Sequence, residues 1–374
     1  MVSHPIFIVR LPAASLQTLA PAEKTAVRDF SSALHDLAHF PLRGGWLPRR
    51  DWFGWLLCPT DNEKRRWLVE DGIPRLTRSI PELVVIRSHF TPPRIQRPVI
   101  IAAAPRSGST MLFQMLANAR ALWTIGGESH SVIEASPTLR PLARSVASHR
   151  LTPDEVDAED LARLRVGFGA GLRDRTGAFL VERPAHERPD AVRLLEKTPR
   201  NALRLPMLQM LWPDARVVVL VRDPRQNIAS LLEAWRTWRG MRLPGWSRGL
   251  WKGLLPPGWQ ALDGRPIAEV AAFQWSAANR TIIDDLAAWP RDRWCVLDYT
   301  ELLRYPERQI RRVCRRCGVP VDDGLARALR EPIPVSRSAI SPPAPDKWRR
   351  HQSVLEPLMP RVLPLWDELR TLIR

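Results

Sequence analysis

The chain has 374 residues, 45% of them hydrophobic, and a formal net charge of +17. That length accommodates one large α/β domain with additions, or two domains, around a sizeable core. No run reaches the 18 or so apolar residues that cross a membrane, and the N-terminal PIFIV, closed by Arg10, is too short for a signal-peptide core, so a soluble, cytoplasmic protein is expected.

Residues 1–95 read as an irregular, Trp- and Pro-rich extension containing one clear helix near Ala22 to Phe40. Its ELVVIRS segment (82–88) is strand-like and either belongs to this region or leads into the core. A second region, 96–350, alternates strand and helix signals in the manner of an α/β domain. It opens with 98-PVIIAAAPRSGSTMLFQML-116, which predicts a strand over about 98–104, a tight loop, and a helix over about 108–119. This arrangement can cradle a phosphate on free backbone N–H groups. The helix-start signal 152-TPDE-155 predicts a charged helix over about 153–173. Next, 193-RLLEKTPR-200 reads as a short strand ending at a polar loop, followed by a helix near 201–211.

The segment 216-RVVVLVRDPRQNIASLLEAW-235 repeats the strand, loop and helix order. The stretch 236–265 holds Trp238, Trp246, Trp251 and Trp259 without a regular period, and reads as a lid that could line an acceptor pocket. Trp52 and Trp55 read as packing residues or membrane-surface anchors. A helix over 266–289, a strand over 293–299 and a helix over 306–317 complete the core. The densest basic patch spans 304–317, with Arg304, Arg308, Arg312 and Arg316 four apart on one helical face; it is a solvated face or a docking face for a membrane or acidic partner. Cys314 and Cys317 form a CxxC without a second pair and read as one helical turn with two buried or neutral thiols, and Cys58 and Cys295 complete the four cysteines. No disulfide framework and no structural metal are expected. A Pro-rich tail leads from 331 to Lys347, and 351–374 reads as a C-terminal helix. The expected fold is a three-layer α/β/α sandwich on a mostly parallel sheet, with a P-loop-like anion-binding turn.

The turn differs from a Walker A loop: Ala103 stands at its first Gly and Ser109 at its Lys, and no strand ends in a clear carboxylate for Mg²⁺. What remains is an anion cradle in which Arg106 is the fixed cation. The amides around Gly108 and the hydroxyls of Ser107, Ser109 and Thr110 supply neutral donors. In 221-VRDPRQNIAS-230, Arg222 ends a strand and Ser230 lies eight residues later, so both can face the same sheet end. Two phosphate-sized sites side by side imply a ligand with two separated anionic groups.

In this order and spacing the two motifs resemble those of the sulfotransferases, which use 3′-phosphoadenosine 5′-phosphosulfate (PAPS) as donor. The resemblance extends through 126-GGESH-130, 195-LEKTPRN-201, Asp298-Tyr299-x-Glu301-Leu302 and 347-KWRR-350, covering about 98–350. It is closest to the tyrosylprotein-sulfotransferase-like bacterial branch and lacks the RKG and DWK block of the cytosolic enzymes. It implies that Arg106 and the amides of 107–110 hold the 5′-phosphosulfate, and that Arg222 and Ser230 bind the 3′-phosphate. It also implies Glu128 as general base, with His130 its rival and His186 a distant third. Lys197 becomes the electrophile at the leaving group. Only five lysines (Lys24, Lys64, Lys197, Lys252, Lys347) stand among 56 basic residues, which makes the one in LEKTP more telling. Lys347 would close over the 3′-phosphate, Ser338 would stabilise the transferring group, and Tyr299 would face the nucleotide or serve as a core aromatic.

The partners implied are PAPS and an acceptor hydroxyl on a lipid, glycan, peptide tyrosine or secondary metabolite. No nucleic acid and no metal are expected; peripheral contact with an anionic membrane and a homodimer stay open. The competing readings are a P-loop kinase or NTPase, and a non-enzymatic module binding nucleic acid or anionic membrane through its basic surface.

Overall fold

The computed structural model describes residues 4–12, 20–36, 52–57, 66, 68–80, 84–144, 147–336, 339–340 and 344–373. The N-terminal region contains β1 (His4–Pro12), α1 (Pro21–Asp36), β2 (Trp52–Leu57), α2 (Ile73–Ser79) and β3 (Val84–Phe90). Its three strands form an antiparallel sheet in the order β2-β1-β3, with Val9 opposite Trp55 and Val85. The expectation of an irregular region with one helix is therefore corrected. The partners of β1 lie roughly 50 and 80 residues away along the chain, and no local window displays such a pairing.

The main region runs through β4 (Arg94–Ile95), β5 (Val99–Ala102), α3 (Ser109–Leu116), α4 (His130–Ile133), α5 (Ala158–Gly171), β6 (Ala191–Val192) and β7 (Leu195–Lys197). It continues with α6 (Leu205–Leu211), β8 (Arg216–Val221), α7 (Pro224–Thr237), β9 (Gly240–Met241), β10 (Trp251–Lys252), α8 (Ile267–Leu286) and β11 (Trp294–Asp298). The helices α9 (Tyr299–Arg304), α10 (Pro306–Cys317), α11 (Asp323–Ala328), α12 (Gln352–Leu355) and α13 (Met359–Thr371) complete the chain. The central sheet has the order β11-β8-β5-β7, and every pair in it is parallel.

Its strands are almost uniformly apolar because both faces are covered. Ile100, Ala102, Val217, Val219 and Val296 pack on one side against α5, α6, α7, α8 and α13. Val99, Ile101, Val218, Leu220 and Leu297 pack on the other against α3, α9 and α10. This is the three-layer sandwich expected. Because all four strands run the same way, their carboxyl ends share one edge, the place where open α/β sheets bind ligands.

Several local expectations are corrected. The 152-TPDE-155 signal caps only a 3-10 turn over Pro153–Glu155, and extended Val156 interrupts the chain. The helix itself starts at Ala158, where Asp157 accepts the Asp160 N–H at 2.7 Å. The Trp-rich stretch, expected as a long loop or lid, is packed rather than structureless. Trp235, Trp246, Trp251 and Trp259 are buried against one another, with Trp246 and Trp251 centroids 4.9 Å apart in an edge-on arrangement. The C-terminal helix is broken into a 3-10 turn (Lys347–His351), α12 and α13. Among the described residues no helix is long and apolar enough to cross a membrane.

Candidate active site

The carboxyl edge of the sheet opens into a cavity of about 690 Å³. Arg106, Gly108, Ser109, Thr110, Glu128, His130, Arg222, Ser230, Tyr299 and Lys347 all line it. Elements distant in sequence therefore bring most of the candidate residues to one place.

The β5–α3 turn forms its base. Arg106 adopts a left-handed backbone (φ 71°), as does Gly108 (φ 95°). For Arg106 this is an uncommon conformation that needs outside support. Support comes from Arg222, whose Nη1 donates to the Arg106 carbonyl at 3.0 Å. Gly108 is required on a second ground: a Cβ there would lie 2.4 Å from Cε2 of Tyr299. The turn is also held by Asn227 on α7, whose amide oxygen accepts from the Ser107 hydroxyl at 2.8 Å and N–H at 3.1 Å, while its NH₂ donates to the Pro105 carbonyl at 3.1 Å. Ser107 is thus buried and turned into the scaffold; it does not line the cavity. At the start of α3 the Gly108 carbonyl takes the Met111 and Leu112 N–H groups, and the positive end of the helix dipole there suits the turn to an anion.

Above this turn sit two arginines. Arg106 Nε donates to Ser230 Oγ at 3.2 Å, and the Arg106 guanidinium lies 5.8 Å from the Trp238 ring centre. Arg222 lies 4.4 Å over the Tyr299 ring, and its Nε donates to Gln226 Oε1 at 3.3 Å. Burial, reinforced by the charge of Arg222, lowers the Arg106 guanidinium from its ordinary value. Burial likewise lowers Arg222, against the pull of Tyr299 and Asp223. Two partly desolvated like charges side by side are costly alone and favour an anionic guest. Lys347 completes this half by donating to Glu233 Oε2 at 2.6 Å.

The other half is a carboxylate bracketed by two bases. Lys197, at the end of β7 and only 5% exposed, donates to Glu128 Oε1 at 2.6 Å and Thr110 Oγ1 at 3.2 Å. His130 Nε2 donates to Glu128 Oε2 at 2.8 Å. Burial alone would raise the Glu128 carboxyl, but the His130 hydrogen bond and the Lys197 ammonium outweigh it and hold the group at about 2. Burial lowers His130, opposed by Glu128 and aided by the charges of Arg200 and Arg204. The neutral ring then carries its proton on Nε2, a tautomer assigned from its hydrogen bond, and Nδ1 is left buried without a hydrogen-bond partner.

Besides Ser107, two described candidates, His186 and Lys197, do not themselves line the cavity. His186 lies on an exposed 3-10 turn next to Glu187, away from the cavity lining. Lys197 reaches the cavity only through Glu128 and Thr110. Ser338 lies outside the described residues. Sequence reasoning overlooked Asn227, Glu233 and the residues behind Glu128. The spacing of Glu233, three after Ser230 on α7, could have revealed it. Trp238 is the tryptophan of the 236–265 stretch that reaches the cavity. Among the described residues no group of three His, Cys, Asp or Glu side chains could hold a metal ion.

A family model described as the sulfotransferase family matches residues 98–323. An uncharacterized protein of Aquifex aeolicus is 22% identical over 311 residues, which is 80% of this chain and 36% of that protein. Protein-tyrosine sulfotransferase A of Caenorhabditis elegans is 21% identical over 243 residues, 65% of this chain and 55% of that protein. The chain therefore spans between about a third and about half of the length of these relatives. A sulfotransferase structure from Alicyclobacillus acidocaldarius superposes with a TM-score of 0.41 at 15% identity, covering 72% of this chain and 96% of that one.

Proposed function

The chain belongs to the sulfotransferase family, and we propose that it transfers a sulfuryl group from PAPS to an acceptor hydroxyl at the carboxyl edge of its parallel sheet. One observation carries the reading. Arg106, Arg222 and Ser230, drawn from two separate strand–turn–helix units, converge on one wall of a cavity that is also lined by Glu128, which Lys197 backs from behind. A bound PAPS supplies an activated sulfuryl group on a phosphate leaving group; everything else is the work of the chain.

In this reading Arg106 and the amides at the start of α3 hold the 5′-phosphosulfate. Arg222 and Ser230 take the 3′-phosphate, Lys347 covers it, and the Tyr299 ring faces the nucleotide. The planar forks of the two arginines suit such groups because each can donate two hydrogen bonds to one phosphate. Lys197 neutralises charge developing on the leaving oxygen. Glu128 accepts the proton of the acceptor hydroxyl. A carboxylate at about 2 is a weak base while Lys197 is bonded to it. As Lys197 turns to the donor side, Glu128 loses that stabilisation and becomes more basic. His130 orients Glu128, and its unpartnered Nδ1 keeps it the rival base. Ser338 retains its proposed role at the transferring group. The free thiols of Cys295, Cys314 and Cys317 suit a reducing compartment such as the cytoplasm.

The test is calorimetric titration of wild type and Arg222→Ala with adenosine 3′,5′-bisphosphate and with ATP, both without metal. Wild type binds the bisphosphate in preference to ATP, and the variant weakens it by at least roughly 30-fold, as loss of one partner of a desolvated charge contact does. Equal binding of ATP, or no binding of either, removes the reading.

A further inference from the structure

Behind the Glu128–Lys197 pair lies a second, fully buried polar cluster that touches neither the cavity nor a reacting atom. Adjacent residues on β7 point to opposite faces of the sheet. Lys197 reaches Glu128, while Glu196 is directed into a pocket with Ser129, Thr198 and Asn201, all of them at most 1% exposed. Ser129 Oγ donates to Glu196 Oε1 at 2.8 Å, and Thr198 Oγ1 donates to the same oxygen at 2.6 Å. Thr198 Oγ1 in turn accepts the Ser129 backbone N–H at 2.7 Å, and Ser129 Oγ accepts from Asn201 Nδ2 at 3.3 Å. Each hydroxyl thus donates once and accepts once, and both protons end on Glu196.

The consequence is a matched pair of contacts. Two consecutive loop residues, Glu128 and Ser129, meet two consecutive strand residues, Lys197 and Glu196. Ser129 also anchors the start of α4, because its carbonyl accepts the Val132 and Ile133 N–H groups next to His130. We propose that Glu196 is a positioning residue: through Ser129 and Thr198 it clamps the 126–130 loop on β7, so that Glu128 is delivered to Lys197 and His130. The proposal rests on the reading of Glu128 as the base, and it concerns placement of that base rather than contact with substrate. Burial raises the Glu196 carboxyl, against its hydrogen bonds from Thr198 and Ser129.

With five lysines in the chain, the test can be read at a single ammonium group. The full-length protein is treated with an amine-acylating reagent, and modification at each lysine is quantified by mass spectrometry. A thiol reagent applied in parallel reports Cys314 and Cys317, buried on the face of the sheet opposite Glu196. In wild type Lys197 is protected. In Glu196→Ala its labelling rises at least roughly tenfold, while Cys314 and Cys317 stay protected and bisphosphate affinity stays within about threefold. Glu196→Gln keeps an oxygen acceptor for both hydroxyls and restores protection, which a loss of general stability would not produce. Unchanged Lys197 labelling in a folded Glu196→Ala protein overturns the proposal. If that variant exposes the cysteines as well, Ser129→Ala decides: selective Lys197 labelling supports the clamp, and continued protection overturns it. Failure of wild type to bind the bisphosphate would instead strike the sulfotransferase reading, since the labelling pattern does not depend on it.

Discussion

Replacing Glu128 by Gln removes the one carboxylate shared by Lys197 and His130, and its effect can be worked from the structure. The group is held at about 2 against an ordinary 4.5, a difference of about 2.5 pH units. At 1.36 kcal/mol per unit that corresponds to roughly 3 kcal/mol. About a third of the side chain faces solvent, so screening reduces the figure to roughly 1–2 kcal/mol. A carboxyl with a depressed folded value contributes its stability above about pH 4.5 and loses it as pH falls toward about 2. Glu128→Gln should therefore be less stable than wild type by about 1–2 kcal/mol at pH 7 in urea unfolding. The gap should narrow as the pH is taken from 5 to 3. Bisphosphate binding should hold or tighten severalfold in the variant, because Lys197 no longer has a competing carboxylate. Sulfuryl transfer should fall by about 10²- to 10⁴-fold, as for loss of a general base. A stability gap that stays constant between pH 7 and pH 3, or a tenfold weaker bisphosphate affinity in a folded variant, would refute this account.

Gly108→Ala places a methyl group 2.4 Å from the Tyr299 ring at a left-handed backbone position. It should cost about 1–3 kcal/mol in thermal or chemical unfolding and abolish measurable bisphosphate binding; near-wild-type affinity would show that the turn is not the anion cradle. Glu233→Gln frees Lys347 from its 2.6 Å ion pair and removes a carboxylate near Arg106. Calorimetry should then show bisphosphate binding tightened by about 3- to 10-fold, with a steeper salt dependence; weaker binding would mean that Glu233 holds the ligand rather than opposing it.

How much could be read in advance varied with the range of the interaction. The β5–α3 and β8–α7 units were legible because each is local: an apolar run buried on both faces, a polar turn, and a helical period. The start of α5 lies five residues beyond the expected one, since Thr152-Pro153-Asp154-Glu155 and Asp157-Ala158-Glu159-Asp160 both offer capping chemistry a few residues apart. The antiparallel sheet of β1, β2 and β3 was missed because its pairings join segments far apart along the chain. The Trp-rich stretch lacks a period, so its packing is not legible in the sequence. Its tryptophans fill space between irregular segments, where packing obeys no repeat.

By itself, then, the sequence determined the parallel α/β class, the two strand–turn–helix units, and most of the residues that meet in the cavity. These come from composition and from patterns confined to windows of about twenty residues. Only the tertiary structure decided that Ser107 belongs to the scaffold, that Lys347 is paired with Glu233, and that Glu196 stands behind Glu128 rather than in the cavity. Such roles depend on which way a side chain faces and which distant group meets it there. A polar residue type is compatible with many partners, and the packed fold selects one.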